Sequence, residues 1–305
     1  MSSPLVCSVC GKPAVIYQRH SGRHLCGVHF CADVEEHVAG TIKTHRMITG
    51  YDRVAVALSG GKDSTALLLM LSRLLPSFGE VSLVALTVDE GISGYREETI
   101  RSAEWLTRKL GIEHHILSFE ALFGDSLDTL LKDREPRACT ICGILRKKAL
   151  VMGTQQAGAT KLATGHNLDD EAQSVLMNTL RGDLSRLVRD SGVNSSGIFI
   201  PRIKPLREIS EREIAMYLML NEAWTDLPEC PYSHHALRRE VRSLLSGFEY
   251  RYPGTMLNLM KSKEKIRQSC SGTTDADLLI RCRICGDPSS GEICQFCSLM
   301  QSLGR

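Results

Sequence analysis

The residues of this chain best suited to chemistry are its thiols and one hydroxyl-bearing glycine turn. Ser59-Gly60-Gly61-Lys62-Asp63-Ser64 stands between the apolar run Val54 to Leu58 and the helix-forming stretch Thr65 to Leu71. A glycine turn between a strand and a helix presents backbone N–H groups and the positive helix end to an anion. Two glycines let the backbone approach a phosphate closely, and Ser59 and Ser64 add hydroxyl donors. The spacing is not the Walker pattern, which needs Gly-x-x-x-x-Gly-Lys-Ser/Thr. All six residues in this context point to a nucleotide rather than to a bare joining turn. Expected contacts are Ala57, Ser59, Gly60, Gly61, Lys62, Asp63 and Ser64.

The chain has twelve cysteines, and most fall into three groups. Cys7-x-x-Cys10 is followed by Cys26-x-x-His29. A tetrahedral Zn²⁺ needs four N/S ligands, and the x-x spacing lets both members of a pair reach one ion from a tight turn. Cys31 is a rival fourth ligand that breaks this spacing. Cys282-x-x-Cys285 and Cys294-x-x-Cys297, joined by a short Gly/Pro/Ser segment, read as a compact Cys₄ zinc site. Disulfides are the alternative, and a reducing compartment disfavours them. Modules this small hold little core, so metal binding is expected to fold them.

The third group is Cys139-Thr140-Ile141-Cys142, with Cys230 in Pro228-Glu229-Cys230-Pro231-Tyr232 as its distant partner. Three thiolates do not close a tetrahedral structural site. They can hold a [4Fe–4S] cluster with one iron left free. They can equally supply a nucleophile and a resolving thiol for persulfide chemistry. A third zinc completed by His234, or three buried free thiols, are further readings, and the residues alone leave these open. Cys270 has no motif around it.

These groups need a scaffold. From about Thr49 to Arg207 apolar strands alternate with amphipathic helices. Strands are expected at Val54 to Leu58, Val81 to Val88, His114 to Leu117, Lys161 to Thr164 and Ile198 to Ile203. Ile100, Ala103, Leu106 and Leu110 form one apolar stripe on a helix from Arg96 to Leu110, with Gly111 placed to cap it. A second helix is expected from Gly143 to Thr154, just after the central cysteine pair. The alternation predicts an α/β fold with a doubly wound parallel sheet. Ligands of such sheets bind beyond the carboxyl ends of the strands. Asp89, Gly165 and Asp170 fall there with the glycine turn. Asp169, Asp170 and Glu171 suit Mg²⁺, or a helix cap and first turn; a functional role is assigned to Asp170 only. Lys62 and Lys147 are placed to neutralise phosphate charge.

Composition bounds the partners. A length of 305 residues fits one domain with small appendages, and 43% hydrophobic and 24% charged residues are ordinary for a globular protein. No apolar run reaches membrane-spanning length, and no export signal opens the chain, so a cytoplasmic protein with no membrane partner is expected. A net charge of +2 hides basic clusters at Arg146 to Lys148, Arg202 to Arg207, Arg238 to Arg242 and Lys261 to Arg267. Such clusters suit a polyanion or a solvated helix face. An aromatic content of 5% argues against a base-stacking platform.

Ser59 to Ser64 resembles the PP-loop of ATP pyrophosphatases, enzymes that split ATP between its α- and β-phosphates and adenylate a substrate. That loop, Gly165-His166-Asn167-Leu168-Asp169-Asp170-Glu171-Ala172, the central Cys-x-x-Cys, Glu229-Cys230-Pro231-Tyr232 and both terminal zinc motifs occur here in one order. Together, over essentially the full length, they resemble the TtuA family of tRNA 2-thiolation enzymes, which includes the cytosolic wobble-uridine thiolases. The resemblance implies a PP-loop domain over residues 46–265, between zinc fingers at 1–45 and 266–305. It implies ATP, Mg²⁺, two Zn²⁺ and one [4Fe–4S] cluster on Cys139, Cys142 and Cys230. Cys139, Cys142, Cys230, Asp63 and Lys147 are then the catalytic candidates.

The resemblance further implies that C2 of a tRNA uridine is adenylated and that sulfur then displaces AMP. The sulfur donor is expected to be a ubiquitin-like thiocarboxylated carrier or free sulfide, and a homodimer is expected. Both zinc modules, the Lys261 to Arg267 run, Arg281 and Arg283 are the candidate grips for tRNA phosphates. The competing readings are a cluster-free persulfide thiolase, a lysidine-synthase-like enzyme, and a zinc-finger RNA-binding scaffold without turnover.

Overall fold

The computed structural model describes residues 5–131, 137–188, 200–232, 236–269 and 280–304. Among these, the strands are β1 (Ile16–Gln18), β2 (Arg23–Leu25), β3 (Arg53–Ala57), β4 (Ser82–Asp89), β5 (Glu113–Ser118), β6 (Lys161–Ala163), β7 (Arg202–Ile203), β8 (Ile280–Arg281) and β9 (Pro288–Ser289). The helices are α1 (Gly27–Thr44), α2 (Lys62–Leu74), α3 (Arg96–Leu110), α4 (Phe119–Phe123), α5 (Leu127–Leu131) and α6 (Ala138–Gln156). They continue with α7 (Leu168–Leu180), α8 (Leu184–Val188), α9 (Glu211–Leu220), α10 (Ala236–Arg251), α11 (Thr255–Ser269) and α12 (Gln295–Ser302).

Five strands form one parallel sheet in the order β5-β4-β3-β6-β7. The pleat sends alternate residues to opposite faces, and both faces are covered. Val54 and Val56 of β3 join a core with α1, α2, α3 and α9, while Ala55 between them joins a second core with α4, α5 and α6. Val54, Ala55 and Val56 are fully buried, which explains why β3 reads as an unbroken apolar run. The doubly wound α/β arrangement is therefore as the residues predict.

Chain order runs outward from β3 through β4 to β5, then returns to the other side of β3 at β6. The reversal leaves a crevice beyond the carboxyl ends of β3 and β6, where open α/β sheets bind ligands. The Ser59 to Ser64 turn follows β3, and the Gly165 loop follows β6.

Two elements differ from the sequence expectation. Helix α6 begins at Ala138, so Cys139 and Cys142 lie in its first two turns rather than before it. Gly143 after the pair is taken into the helix rather than ending it, and residues three apart on a helix share a face. The fifth strand is described only at Arg202–Ile203; residues 198 and 199 lie outside the described residues, as do His234 and Cys270.

The terminal cysteine units pack on the α/β core. Cys26 is the N-cap of α1, whose buried stripe of Phe30, Val34, Val38 and Ile42 runs into the core below the sheet. At the other end, Phe296 of α12 meets Phe123 at 5.5 Å, and Lys148 of α6 lies 5.4 Å over the Phe296 ring and pairs with Asp287. Helices α10 and α11 pack on α7 through Val241, Leu245, Met256 and Met260. Among the described residues no helix is long and apolar enough to cross a membrane.

Candidate nucleotide and thiol site

The glycine turn is braced from three directions. The hydroxyl of Ser64 accepts from the Ser59 backbone N–H at 3.1 Å and donates to the Gly61 carbonyl at 2.9 Å. Gly60 has φ +86°, and a Cβ there would stand 2.2 Å from the Thr99 carbonyl oxygen. The turn is therefore pressed against the first turns of α3, where only glycine fits. Gly165 is as constrained: a Cβ on it would lie 2.9 Å from the backbone of Asp63 and Ser64. Two loops from neighbouring strands thus meet at the N-terminus of α2, which leaves N–H groups and a helix dipole facing the crevice.

Charged side chains ring this point. Lys62 pairs with Asp63 at 3.0 Å and with Glu211 at 2.9 Å. Burial works against its charge, but the two carboxylates outweigh burial and raise its pKa. Asp63 also accepts from the Asn167 side-chain amide at 2.9 Å. Asn167 is the N-cap of α7, in a reciprocal box with Asp170, and Asp170 further pairs with Arg238 at 3.2 Å. Asp169 accepts from the Glu211 backbone at 2.8 Å, and buried Glu171 pairs with Lys204 at 2.5 Å. The acids of this loop therefore serve cap, scaffold and ion pair in the structure. Asp89 ends β4 and accepts from the Gly91 N–H at 2.9 Å. Ala57 is the last residue of β3, two before Ser59.

The central thiols lie on α6 and the segment before α10. Cys142 is buried, Cys230 half-buried and Cys139 exposed. Cys139 donates from Sγ to the Tyr232 carbonyl at 3.1 Å, which ties the two segments together. Burial pushes the Cys142 thiol up to about 11, against the pull of nearby Arg146. Burial also raises Cys139, and the charge of Cys230 adds to the rise at both cysteines, so the three share one neighbourhood. Arg146 donates to Cys142 Sγ at 3.5 Å; Lys147 is exposed, and Lys148 turns to Asp287.

The terminal sets do converge as ion sites. The ligand atoms of Cys7, Cys10, Cys26 and His29 lie within 4.8 Å of one another, as do those of Cys282, Cys285, Cys294 and Cys297. Cys26 Sγ is 3.3 Å from His29 Nδ1, and Cys31 lies outside the group, where it accepts from Asn221 at 3.5 Å. In the second set, backbone N–H groups of Cys285 and Cys294 lower the Cys282 thiol to about 6, which favours a thiolate ligand. Among the described residues all cysteines are free thiols, and these are the two sets so gathered; Cys139, Cys142 and Cys230 are more widely spread. Four donors in each terminal set can hold a metal ion with no open position.

Several of the basic residues read as candidate phosphate grips are engaged within the chain. Lys263 faces Glu171 at 4.0 Å, Arg267 pairs with Glu264 at 2.5 Å, and Arg283 pairs with Glu292 at 2.8 Å. Arg281 donates to the Gly286 carbonyl at 3.4 Å. Residues not singled out in the sequence also bear on the site: Asn167, Arg96 and Glu211 at the turn, and Glu90 between the turn and the thiols. Asn167 carries the signal of a cap before three acids, whereas the others become visible only through tertiary contact.

Residues 34–241 match the family described as the PP-loop domain, and residues 6–31 match the N-terminal LIM domain of 2-thiouridine synthetase TtuA. The chain is 37% identical to the tRNA 2-thiolation protein NcsA of Haloferax volcanii over 97% of this chain and 98% of that one. It is 36% identical to cytoplasmic tRNA 2-thiolation protein 1 of Caenorhabditis elegans, covering 97% of this chain and 80% of that protein. The solved structure of U34-tRNA thiolase NcsA from Methanococcus maripaludis, with its [4Fe-4S] cluster, superposes with TM-score 0.87 at 32% identity over 99% of this chain and 98% of that one. With the loops, the thiols and both terminal cysteine sets in place, the chain belongs to the TtuA-type family of PP-loop tRNA 2-thiolation enzymes.

Proposed function

We propose that this chain is an ATP-dependent tRNA 2-thiolation enzyme that adenylates C2 of a uridine and replaces its oxygen by sulfur. The observation that carries the reading is a braced phosphate turn beside three thiols on α6 and its neighbouring segment. The N–H groups at the start of α2, the Ser59 and Ser64 hydroxyls and Lys62 hold the ATP phosphates. Asp63, Asp170 and Asp89 are the residues that hold Mg²⁺ in this reading. The uridine O2 attacks the α-phosphate, and pyrophosphate leaves. The C2–O bond is now a bond to AMP, a good leaving group; sulfur adds at C2 and AMP departs.

Cys139, Cys142 and Cys230 are the residues that hold a [4Fe–4S] cluster in this reading. Their number fits it: three thiolates, with Cys139 and Cys142 on one helical face and Cys230 beside both. Their spread fits it as well, being wider than the two sets that suit a single ion. When bound, such a cluster supplies an iron with an open coordination position for sulfur. The Cys7 and Cys282 sets hold structural Zn²⁺. The substrate is tRNA, the sulfur source is a thiocarboxylated carrier protein or free sulfide, the compartment is the cytoplasm, and the assembly is a homodimer.

Metal content on protein purified without oxygen tests this reading. About four Fe and two Zn per chain are expected, with tRNA-dependent AMP release. Two Zn and no Fe after anaerobic reconstitution would leave the nucleotide chemistry standing and remove the cluster. Three Zn would make the central thiols structural.

A further inference from the structure

Two buried charges lie between the nucleotide turn and the thiols. Glu90 and Arg96 are each 4% exposed. The Arg96 Nε and the Glu90 Oε2 approach to 2.8 Å as an ion pair without hydrogen-bond alignment. Arg96 reaches onward with its other nitrogens. It donates to the Ser59 carbonyl at 3.3 Å, to the Thr99 hydroxyl at 2.9 Å, and to the Val88 carbonyl. The second oxygen of Glu90 faces Arg146 Nε at 3.5 Å, and Arg146 in turn donates to Cys142 Sγ at 3.5 Å. One unbroken polar path therefore runs from the phosphate turn at Ser59 through Arg96, Glu90 and Arg146 to Cys142.

Apolar side chains of the same volume would fill this place without the desolvation cost of two ions. What the ions add is geometry. Glu90 fixes the head of Arg96 on the nucleotide side and the head of Arg146 on the thiol side. The proposed reaction needs an adenylated carbon and a sulfur-bearing thiol centre in register, and a misplacement of about 1 Å costs roughly a hundredfold in rate. The turn itself is braced independently by Ser64 and by Thr99, so adenylation does not depend on the far arm of this path.

We infer that Glu90 is a positioning residue that holds α6 and its thiols in register with the phosphate turn; this rests on the function proposed above. Loss of the bridge uncouples the two half-reactions: AMP still forms, but sulfur transfer per AMP falls.

The test uses full-length protein purified without oxygen, as Glu90→Gln, Arg146→Ala and the double variant. Readouts are tRNA-dependent AMP release, 2-thiouridine formed, and the electron paramagnetic resonance signal of the reduced iron centre. Arg146→Ala is expected to release AMP within about threefold of the unaltered protein, and each single variant to form at least about tenfold less 2-thiouridine per AMP released. Each should displace the iron signal, because Glu90→Gln frees the Arg146 N–H that reaches Cys142 and Arg146→Ala removes it. The double variant is expected to be no slower than the slower single one, since both break one bridge. If Glu90→Gln does not fold, Arg146→Ala carries the test, because that side chain is 48% exposed and its removal leaves Glu90 paired with Arg96. Unchanged thiolation per AMP, an unshifted signal, or losses that multiply would overturn the inference alone. An unaltered protein that loads no iron and thiolates nothing would overturn the functional reading and this inference with it.

Discussion

The Asn167 side-chain amide donates to the Asp63 carboxylate at 2.9 Å and so ties the loop after β6 to the phosphate turn after β3. Asn167 also caps α7 by accepting from the Asp170 N–H at 3.0 Å. One residue thus fixes a helix start and the orientation of a candidate magnesium ligand. Asp63→Ala is expected to lower tRNA-dependent AMP formation by about a hundredfold, the scale of losing one preorganised charged group. Zinc content and folding should be unchanged, because Asp63 is partly exposed and lies far from both terminal cysteine sets in sequence. Wild-type AMP formation in this variant would remove Asp63 from the nucleotide site.

Gly60 offers a steric test of the same loop. Its φ of +86° costs an L-residue roughly 1–2 kcal/mol, and a Cβ would press on the Thr99 backbone oxygen at 2.2 Å. Since Thr99 is backbone in α3, it has little room to yield. Gly60→Ala is expected to weaken ATP binding by at least about tenfold in calorimetric titration, equivalent to about 1.4 kcal/mol. Gly61→Ala is the control, because the nearest atom to its Cβ would be the Ser59 hydroxyl at an ordinary 3.5 Å. Equal losses in the two variants would show that close packing on α3 is not what the turn requires.

The sequence was most legible where local and tertiary demands agree. Val54 to Leu58 reads as a strand because both of its faces are buried, and Arg96 to Leu110 reads as a helix because one stripe is apolar and Gly111 ends it in the left-handed region at φ +66°. The terminal cysteine sets were legible because their ligands are close in sequence. Less visible was the start of α6. A Cys-x-x-Cys pair suggests a turn before a helix, yet nothing in Ala138 to Gly143 prevents helix, and packing of Ile141 and Cys142 extends it. The Glu90–Arg96–Arg146 path was not legible at all. Its partners sit on different elements, and no periodicity or spacing relates a carboxylate just past β4 to a guanidinium on α6.

The C-terminal cysteine set makes a separate prediction. Its four thiols converge, and α12, which carries Cys297 and is capped by Cys294, covers Phe123 and Lys148 of the thiol-bearing half of the core. Cys294→Ser is expected to reduce zinc from about two to about one per chain, because a structural site needs all four donors. Melting temperature should fall as Phe296 loses its seat and Lys148 its partner Asp287. Retention of two zinc ions by this variant would count against the assignment.

A last prediction concerns Glu208, which joins α1 to the segment after β7. Its carboxylate faces His37 Nε2 at 3.3 Å, His45 Nε2 at 3.4 Å and the Thr41 hydroxyl at 3.3 Å. The hydrogen bond from His37, then that from His45, holds Glu208 well below the carboxylate range, and the bond to Glu208 raises His37 above its ordinary 6.5. The signs follow from linkage. The lowered Glu208 contributes stability that is present above about pH 4.5 and lost as pH falls through its folded pKa. The raised His37 contributes stability that is full below about pH 6.5 and lost as pH rises through its folded pKa. The pair is therefore strongest between about pH 4.5 and 6.5 and fades toward alkaline pH. Glu208→Gln should lower the melting temperature more at about pH 6 than at about pH 9. Both groups are partly exposed, so a shift of only a few degrees is expected, and the difference between variant and unaltered protein cancels the titration of other groups. An equal shift at both pH values would mean that the contact holds α1 by shape and not by charge.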